Sequence, residues 1–175
     1  MSRTILVVGE AGEGGLRPVS LELVTAARRV AEAGAGDGTV TALLMGADLS
    51  ASAPQLGGAG VDRLLVADDS RLQNLPPQAL AGALTSIIRR ESPFAVFIPS
   101  TTAGIEYAPR VAARLKLPIA SDATDVSVED GKLVAIRPVL GGRVQTAVKL
   151  ENEGASIVTF RSGSFEKPAT GGAAA

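Results

Sequence analysis

The chain has 175 residues, enough for one domain with an extension, and a formal net charge of -1, so charge alone draws it neither to nucleic acid nor to an anionic membrane. It contains no cysteine and no histidine, which removes disulfides, thiolate chemistry, Cys/His metal sites and a histidine base. With 46% hydrophobic but only 3% aromatic residues, the core has to be built from Val, Leu, Ile and Ala.

Thr4 to Val8 reads as an apolar strand closed by Gly9. A Gly/Glu loop, Glu10 to Arg17, leads to Pro18. Ser20 is placed as the cap of a helix in which Leu21, Leu23, Val24, Ala27, Val30 and Ala31 recur at helical spacing, and Gly34, Gly36 and Gly38 end it. Val40 to Met45 is the second strand. Gly46 opens a short helix over Ala51 to Leu56, stopped by Gly57, Gly58 and Gly60. Leu64 to Ala67 is the third strand, and Asp68-Asp69 starts the loop after it. Pro76 and Pro77 begin a helix from Gln78 to Glu91, with Leu80, Leu84, Ile87 and Ile88 inside. The stretch from Phe94 to Leu117 is central: a strand to Ile98, a small polar loop from Ser100 to Gly104, then a helix. The repeated strand–helix order implies a parallel sheet with helices on both faces.

After Pro118 the pattern changes. Asp125 to Val128 faces Lys132 to Ile136 across Glu129-Asp130-Gly131, and Asp-Gly is a strong hairpin signal. A second hairpin turns at Gly141-Gly142, joining Ile136–Leu140 to Val144–Val148. Ser156 to Phe160 is a last strand. The expected organisation is one domain over residues 1–165 and a linker or disordered tail over 166–175, as in a domain cut from a longer chain. No apolar run spans a bilayer, and the N-terminus enters a strand with no signal-peptide pattern, so a cytoplasmic location is expected.

The chemical motifs are few. The glycines after the first strand, Gly9, Gly12, Gly14 and Gly15, do not fall as GxGxxG, and Glu10 and Glu13 among them repel a pyrophosphate. No GxxxxGK[ST] loop exists. Asp68-Asp69 and Asp122/Asp125 are carboxylate pairs without a partner base; Asp68-Asp69 is better read as a loop start. Arg110 and Arg114 share one helix face, and Arg89-Arg90 suits a helix C-terminus. The hydroxyl loop Ser100-Thr101-Thr102-Ala103-Gly104 lies where open α/β sheets place ligands, but its hydroxyls equally serve as a helix cap. No nucleophile has its base.

These residues together resemble the N-terminal domain of the alpha subunit of electron transfer flavoproteins. The likeness runs through Ile5–Val8, Leu16–Arg28 and Gly60–Asp68. It continues through Pro99–Leu115, where Tyr107-Ala-Pro-Arg110 is among the better signatures, then Ala120–Asp125, Arg137–Arg143 and Arg161–Phe165. Its order and spacing cover nearly the whole chain. The family usually has Gly-Arg-Asp-Leu where this chain has Gly104-Ile105-Glu106-Tyr107, so a basic side chain is missing beside the loop.

The resemblance implies a three-layer Rossmann-like sheet of the adenine nucleotide alpha hydrolase type, with a C-terminal antiparallel β extension. It implies part of an electron carrier, not an enzyme in its own right. The carrier passes electrons from flavin dehydrogenases to a quinone oxidoreductase and the respiratory chain. This domain would be the platform that pairs with the beta subunit and supports a C-terminal FAD domain, which is absent from this sequence. FAD is thus expected in the complete heterodimer and AMP in the beta subunit. By position, a vestigial nucleotide seat falls at Gly9, Gly46, Ala67, Ser100, Thr101, Thr102 and Gly104. Glu10 and Glu106 disfavour a phosphate there, and this chain alone is expected to hold no cofactor. The arm from Asp125 to Val148, with Leu140 and Val144, is the candidate partner face; an ordinary sheet extension explains it equally. No nucleic-acid partner, membrane insertion or metal is expected. A stand-alone adenine-nucleotide module similar to universal stress proteins is the main alternative, and a small enzyme of nucleotide chemistry a weaker one.

Overall fold

The computed structural model describes residues 3–12, 14–33, 37–73, 75–152 and 154–168. The helix-ending Gly34 and Gly36, and all of the expected tail beyond residue 168, lie outside them. In chain order the first half comprises β1 (Thr4–Gly9), β2 (Ala11–Gly12), β3 (Gly15–Leu16), α1 (Pro18–Glu32), β4 (Thr39–Gly46), α2 (Ser52–Gly57) and β5 (Arg63–Asp68). A single 3-10 turn (Ser70–Leu72) precedes α3 (Pro77–Glu91), β6 (Ala95–Pro99) and α4 (Thr102–Leu115). Then come β7 (Ile119–Ala123), β8 (Asp125–Glu129), β9 (Lys132–Val139), β10 (Val144–Leu150) and β11 (Ser156–Phe160).

The main sheet has six strands in the order β5-β4-β1-β6-β11-β7, with every neighbour parallel. Strand alternation sorts the core into two layers. Ile5 and Val7 face α1, packing with Leu23, Val24 and Ala27. Leu6 and Val8 face α3 and α4, packing with Leu84, Ile88, Ala108 and Val111. The three-layer Rossmann-like class is therefore present.

The antiparallel part differs from expectation in its place. β8, β9 and β10 form a three-stranded sheet in the crossover between β7 and β11, so they are an insertion rather than a C-terminal extension. They stand where a crossover helix would lie, and Val126, Leu133, Ala135 and Leu150 join the α1 layer of the core. The base of the arm is thus core, and only its tip projects. The Asp-Gly hairpin is as expected: Asp130 and Gly131 both have positive φ, 50° and 77°, as a tight two-residue turn between twisted strands requires.

Three local readings change. The stretch expected as an open loop contains paired backbone, because Ala11–Gly12 of β2 pairs antiparallel with Gly15–Leu16 of β3. Ser20 does not cap α1, which starts at Pro18; its hydroxyl accepts from the Glu10 N–H at 2.9 Å and donates to the Glu10 carbonyl at 3.3 Å. Strand β7 had no reading at all. Its sequence, Ile-Ala-Ser-Asp-Ala, lacks an apolar run, and its register against β11 shifts where Asp122 adopts φ 59°.

Candidate functional site

The carboxyl ends of β1 and β4 open into a cavity of about 710 Å³. Its floor is Val8 and Gly9 of β1 with Met45 and Gly46 of β4. The loop after β4 and the start of α2 supply Asp48, Leu49 and Ser52, while Leu72, Leu75 and Leu80 make an apolar wall. Ala103 and Tyr107 of α4 close the far side, and the β2–β3 hairpin lies over the top with Arg17. The loop around Asp48 is held in place because the Leu49 N–H donates to the Asp68 carboxylate at 3.1 Å.

Two polar groups dominate the interior. Glu10 follows β1 directly; its Oε1 accepts from the Thr101 hydroxyl at 2.8 Å, and Arg17 lies 3.8 Å from Oε2. Burial pushes its carboxyl above the ordinary glutamate value, despite that hydrogen bond and the Arg17 charge. Tyr107 is 4% exposed, and its hydroxyl has no hydrogen-bond partner. Burial first, and the Glu10 charge second, push its pKa well above the ordinary tyrosine value, so it stays a protonated donor.

The expected site residues are only partly brought together. Gly9 and Gly46 line the cavity. Thr101 is the N-cap of α4, accepting from the Gly104 N–H at 3.1 Å, and reaches the cavity through its bond to Glu10. Gly104 is buried against the Pro99 carbonyl, Thr102 is exposed in the first turn of α4, and Ala67 pairs with Met45 in the sheet. Ser100 turns to the other side, hydrogen bonding the Thr159 hydroxyl at 2.7 Å. Tyr107, Arg17 and Asp48 line the same cavity without having been expected there. Tyr107, the single tyrosine of the chain, was the one available signal, as a ring with a polar tip on an otherwise aliphatic helix face.

Of the acidic pairs, Asp68 holds the cavity loop through the Leu49 N–H, and the other carboxylates are engaged elsewhere. Asp122 takes both Nε and a terminal nitrogen of Arg161, Asp125 pairs with Arg29, and Asp69 caps the 3-10 turn. The Arg71 guanidinium beside Asp69 holds that carboxyl down at about 2. Among the described residues no group of three or more metal-type ligands gathers, and no helix is long and apolar enough to cross a membrane.

Two surface features complete the picture. The segment after β11 is clamped to α1: the Gly163 N–H donates to the buried Glu22 at 2.7 Å, and the Phe165 ring sits 5.4 Å from Phe160 and 5.3 Å from the Arg29 guanidinium. At the arm tip Leu140 is 75% and Val144 46% exposed, and residues 140–142 all have positive φ.

A family model described as the electron transfer flavoprotein domain matches residues 5–175. Among curated proteins the chain is similar to Protein FixB of Clostridium saccharobutylicum, 36% identical over 97% of this chain and 50% of that protein. It is 34% identical to the electron transfer flavoprotein subunit alpha of Bacillus subtilis (strain 168), over 82% of this chain and 43% of the relative. It is also 34% identical to the lactate dehydrogenase (NAD(+),ferredoxin) subunit LctC of Acetobacterium woodii, over 95% of this chain and 40% of the relative. The chain therefore spans about half the length, or less, of these relatives.

Proposed function

The chain belongs to the electron transfer flavoprotein family, and from that premise we propose that it is the alpha-subunit base on which a flavin domain is carried. The base pairs with a beta-type subunit, and a second domain joined after Phe165 holds FAD. Electrons then pass from flavin dehydrogenases through the assembly towards a quinone oxidoreductase, with AMP held by the beta subunit. On this reading residues 1–165 are the base and 166–175 the start of the linker. The chain by itself is a carrier component and not an enzyme, acting in the cytoplasm.

The observation that carries the reading is the arm. Its root is fixed in the core by Val126, Leu133, Ala135 and Leu150, while its tip holds out Leu140 and Val144 with nothing over them. Holding a leucine exposed at φ 51° is unfavourable for an isolated domain, and is sensible where a partner covers it. From Lys132 to Leu150 the arm has basic residues and no acidic one, so the partner face is apolar with a carboxylate rim.

The test is binding of the purified beta subunit to the chain and to its Leu140→Asp and Val144→Glu variants. Each variant is expected to lose about tenfold or more in affinity, as central apolar contacts do, while its melting temperature stays that of the parent. Unchanged affinity in both variants removes the arm from the interface. The clamped exit at Phe165 supports the linker assignment, since a moving flavin domain needs a fixed point at which its tether starts.

A further inference from the structure

We propose that Arg29 is a joint between the arm and the exit segment, residues 161–165, so that a partner seated on the arm tightens the anchor from which the following chain departs. The purpose of such a joint rests on the reading of the domain as the base of a carrier; its geometry lies wholly within this chain.

Arg29 stands in the last turn of α1, where the helix dipole favours a cation. Its guanidinium reaches two separate parts of the molecule. Towards the arm it pairs with Asp125, the first residue of β8, and donates to the Val126 carbonyl at 2.6 Å. Asp125 is held in turn, because its Oδ1 also accepts from the Val126 N–H at 2.8 Å. Towards the exit, the guanidinium lies over the Phe165 ring at 5.3 Å. A planar guanidinium serves both sides at once, since its edge donates hydrogen bonds while its face stacks on a ring.

A cavity of about 790 Å³ lies between the two parts, lined by Ile136, Gln145 and Ala147 of the arm and by Ser162, Gly163 and Ser164 of the exit. Among the hydrogen bonds, ion pairs and ring contacts of the described residues, those of Arg29 alone join the arm to the exit. The exit has few other holds. They are the Gly163 N–H on Glu22 at 2.7 Å, the half-exposed Arg161–Asp122 pair, and the half-buried Phe165 ring against Phe160. So thin a set of contacts lets a segment open locally without unfolding the domain. A partner over the arm tip restricts the arm, and with it the Asp125 carboxylate and Val126 carbonyl that orient Arg29. A guanidinium already fixed on the arm side loses less freedom when the Phe165 ring closes on it, so the exit opens less often. The coupling is reciprocal: a closed exit favours the partner-bound arm.

The experiment reads hydrogen exchange of the Gly163 amide in the full chain. Exchange is taken relative to the amides of β1 and β6, which separates opening of the exit from weakening of the whole domain. Asp125→Asn keeps an acceptor for the Val126 N–H and removes the charge that orients Arg29. It is expected to speed Gly163 exchange about threefold, although Asp125 has no bond to Gly163 or Phe165. In an Arg29→Met background the same change is expected to add nothing. Arg29→Lys, which keeps the charge but cannot pair and stack at once, is expected to behave as Arg29→Met does. Purified beta subunit is expected to slow Gly163 exchange in the parent by about threefold or more, and to leave it unchanged in Arg29→Met. No effect of Asp125→Asn in the parent, an equal effect with and without Arg29, or a bound beta subunit that leaves Gly163 exchange unaltered each overturns the joint. A beta subunit that does not bind the parent overturns the carrier reading instead, and the comparison of Asp125→Asn with and without Arg29 still decides the joint.

Discussion

Gly104 lies so close to the preceding strand that a methyl group added to it would sit 1.9 Å from the Pro99 carbonyl oxygen. Backbone cannot yield as a side chain can, so the residue keeps α4 seated on the end of β6. Gly104→Ala is expected to destabilise the domain by about 1–3 kcal/mol, the usual cost of overpacking, in a urea titration. At Gly9 the obstacles are the side-chain tips of Leu56, 2.7 Å away, and Leu44, 3.3 Å away, which can shift where backbone cannot, so Gly9→Ala is expected to cost less. Glu10 sets a pH dependence. Its folded-state pKa is raised, so the folded protein holds the proton more tightly than the unfolded chain does. Stability is then lost as pH rises from the ordinary glutamate value through the raised one, and the full penalty is present above it. Melting curves of Glu10→Gln are expected to match the parent at acid pH and to lie above it at neutral pH.

Among the elements, the clamp after β11 is where sequence and packing meet most directly. Arg161 is held by Asp122, Gly163 by Glu22 on α1, and Phe165 by Phe160 and Arg29. Phe165 is only half-buried, so Phe165→Ala is expected to cost about 1 kcal/mol. Its main effect should be local. In hydrogen exchange the Gly163 amide is expected to lose protection while the amides of β1 and β6 keep theirs. Exchange at Gly163 unchanged from the parent would show that the ring is not what fastens the segment. The arm differs in kind: the Asp130-Gly131 turn was readable because both residues tolerate positive φ, whereas its burial against α1 depends on where the crossover runs.

For the whole molecule, the position of β11 matters most. It lies between β6 and β7, although the segment between β7 and β11 contains the entire antiparallel arm. Val158 and Phe160 are fully buried, and Phe160 meets Phe97 edge-to-face at 4.9 Å in the centre of the core. A chain shortened to end at Asn152 would lose an interior strand and leave the hydrogen-bonding edges of β6 and β7 open. That shortened form is expected to lose cooperative thermal unfolding by circular dichroism. A form ending at Pro168 is expected to keep it.

Most elements were legible from the sequence because apolar period and turn chemistry are local: strands at Thr4, Val40, Leu64 and Phe94, helices between them, the Asp-Gly hairpin, and the family likeness carried along the chain. Gly9 and Gly46 line one cavity because parallel strands gather their carboxyl ends on one edge. Other features had no local signal. β7 is made of small and polar residues that count as a strand only beside β11, and β11 itself could not be assigned its neighbours. The cavity was equally hidden: the orphaned Tyr107 hydroxyl, and a Glu10 carboxylate bound to Thr101 from 91 residues away, exist only once distant segments pack and water is excluded between them. Sequence fixes what each segment can form by itself; long-range burial decides which polar groups are left facing one another.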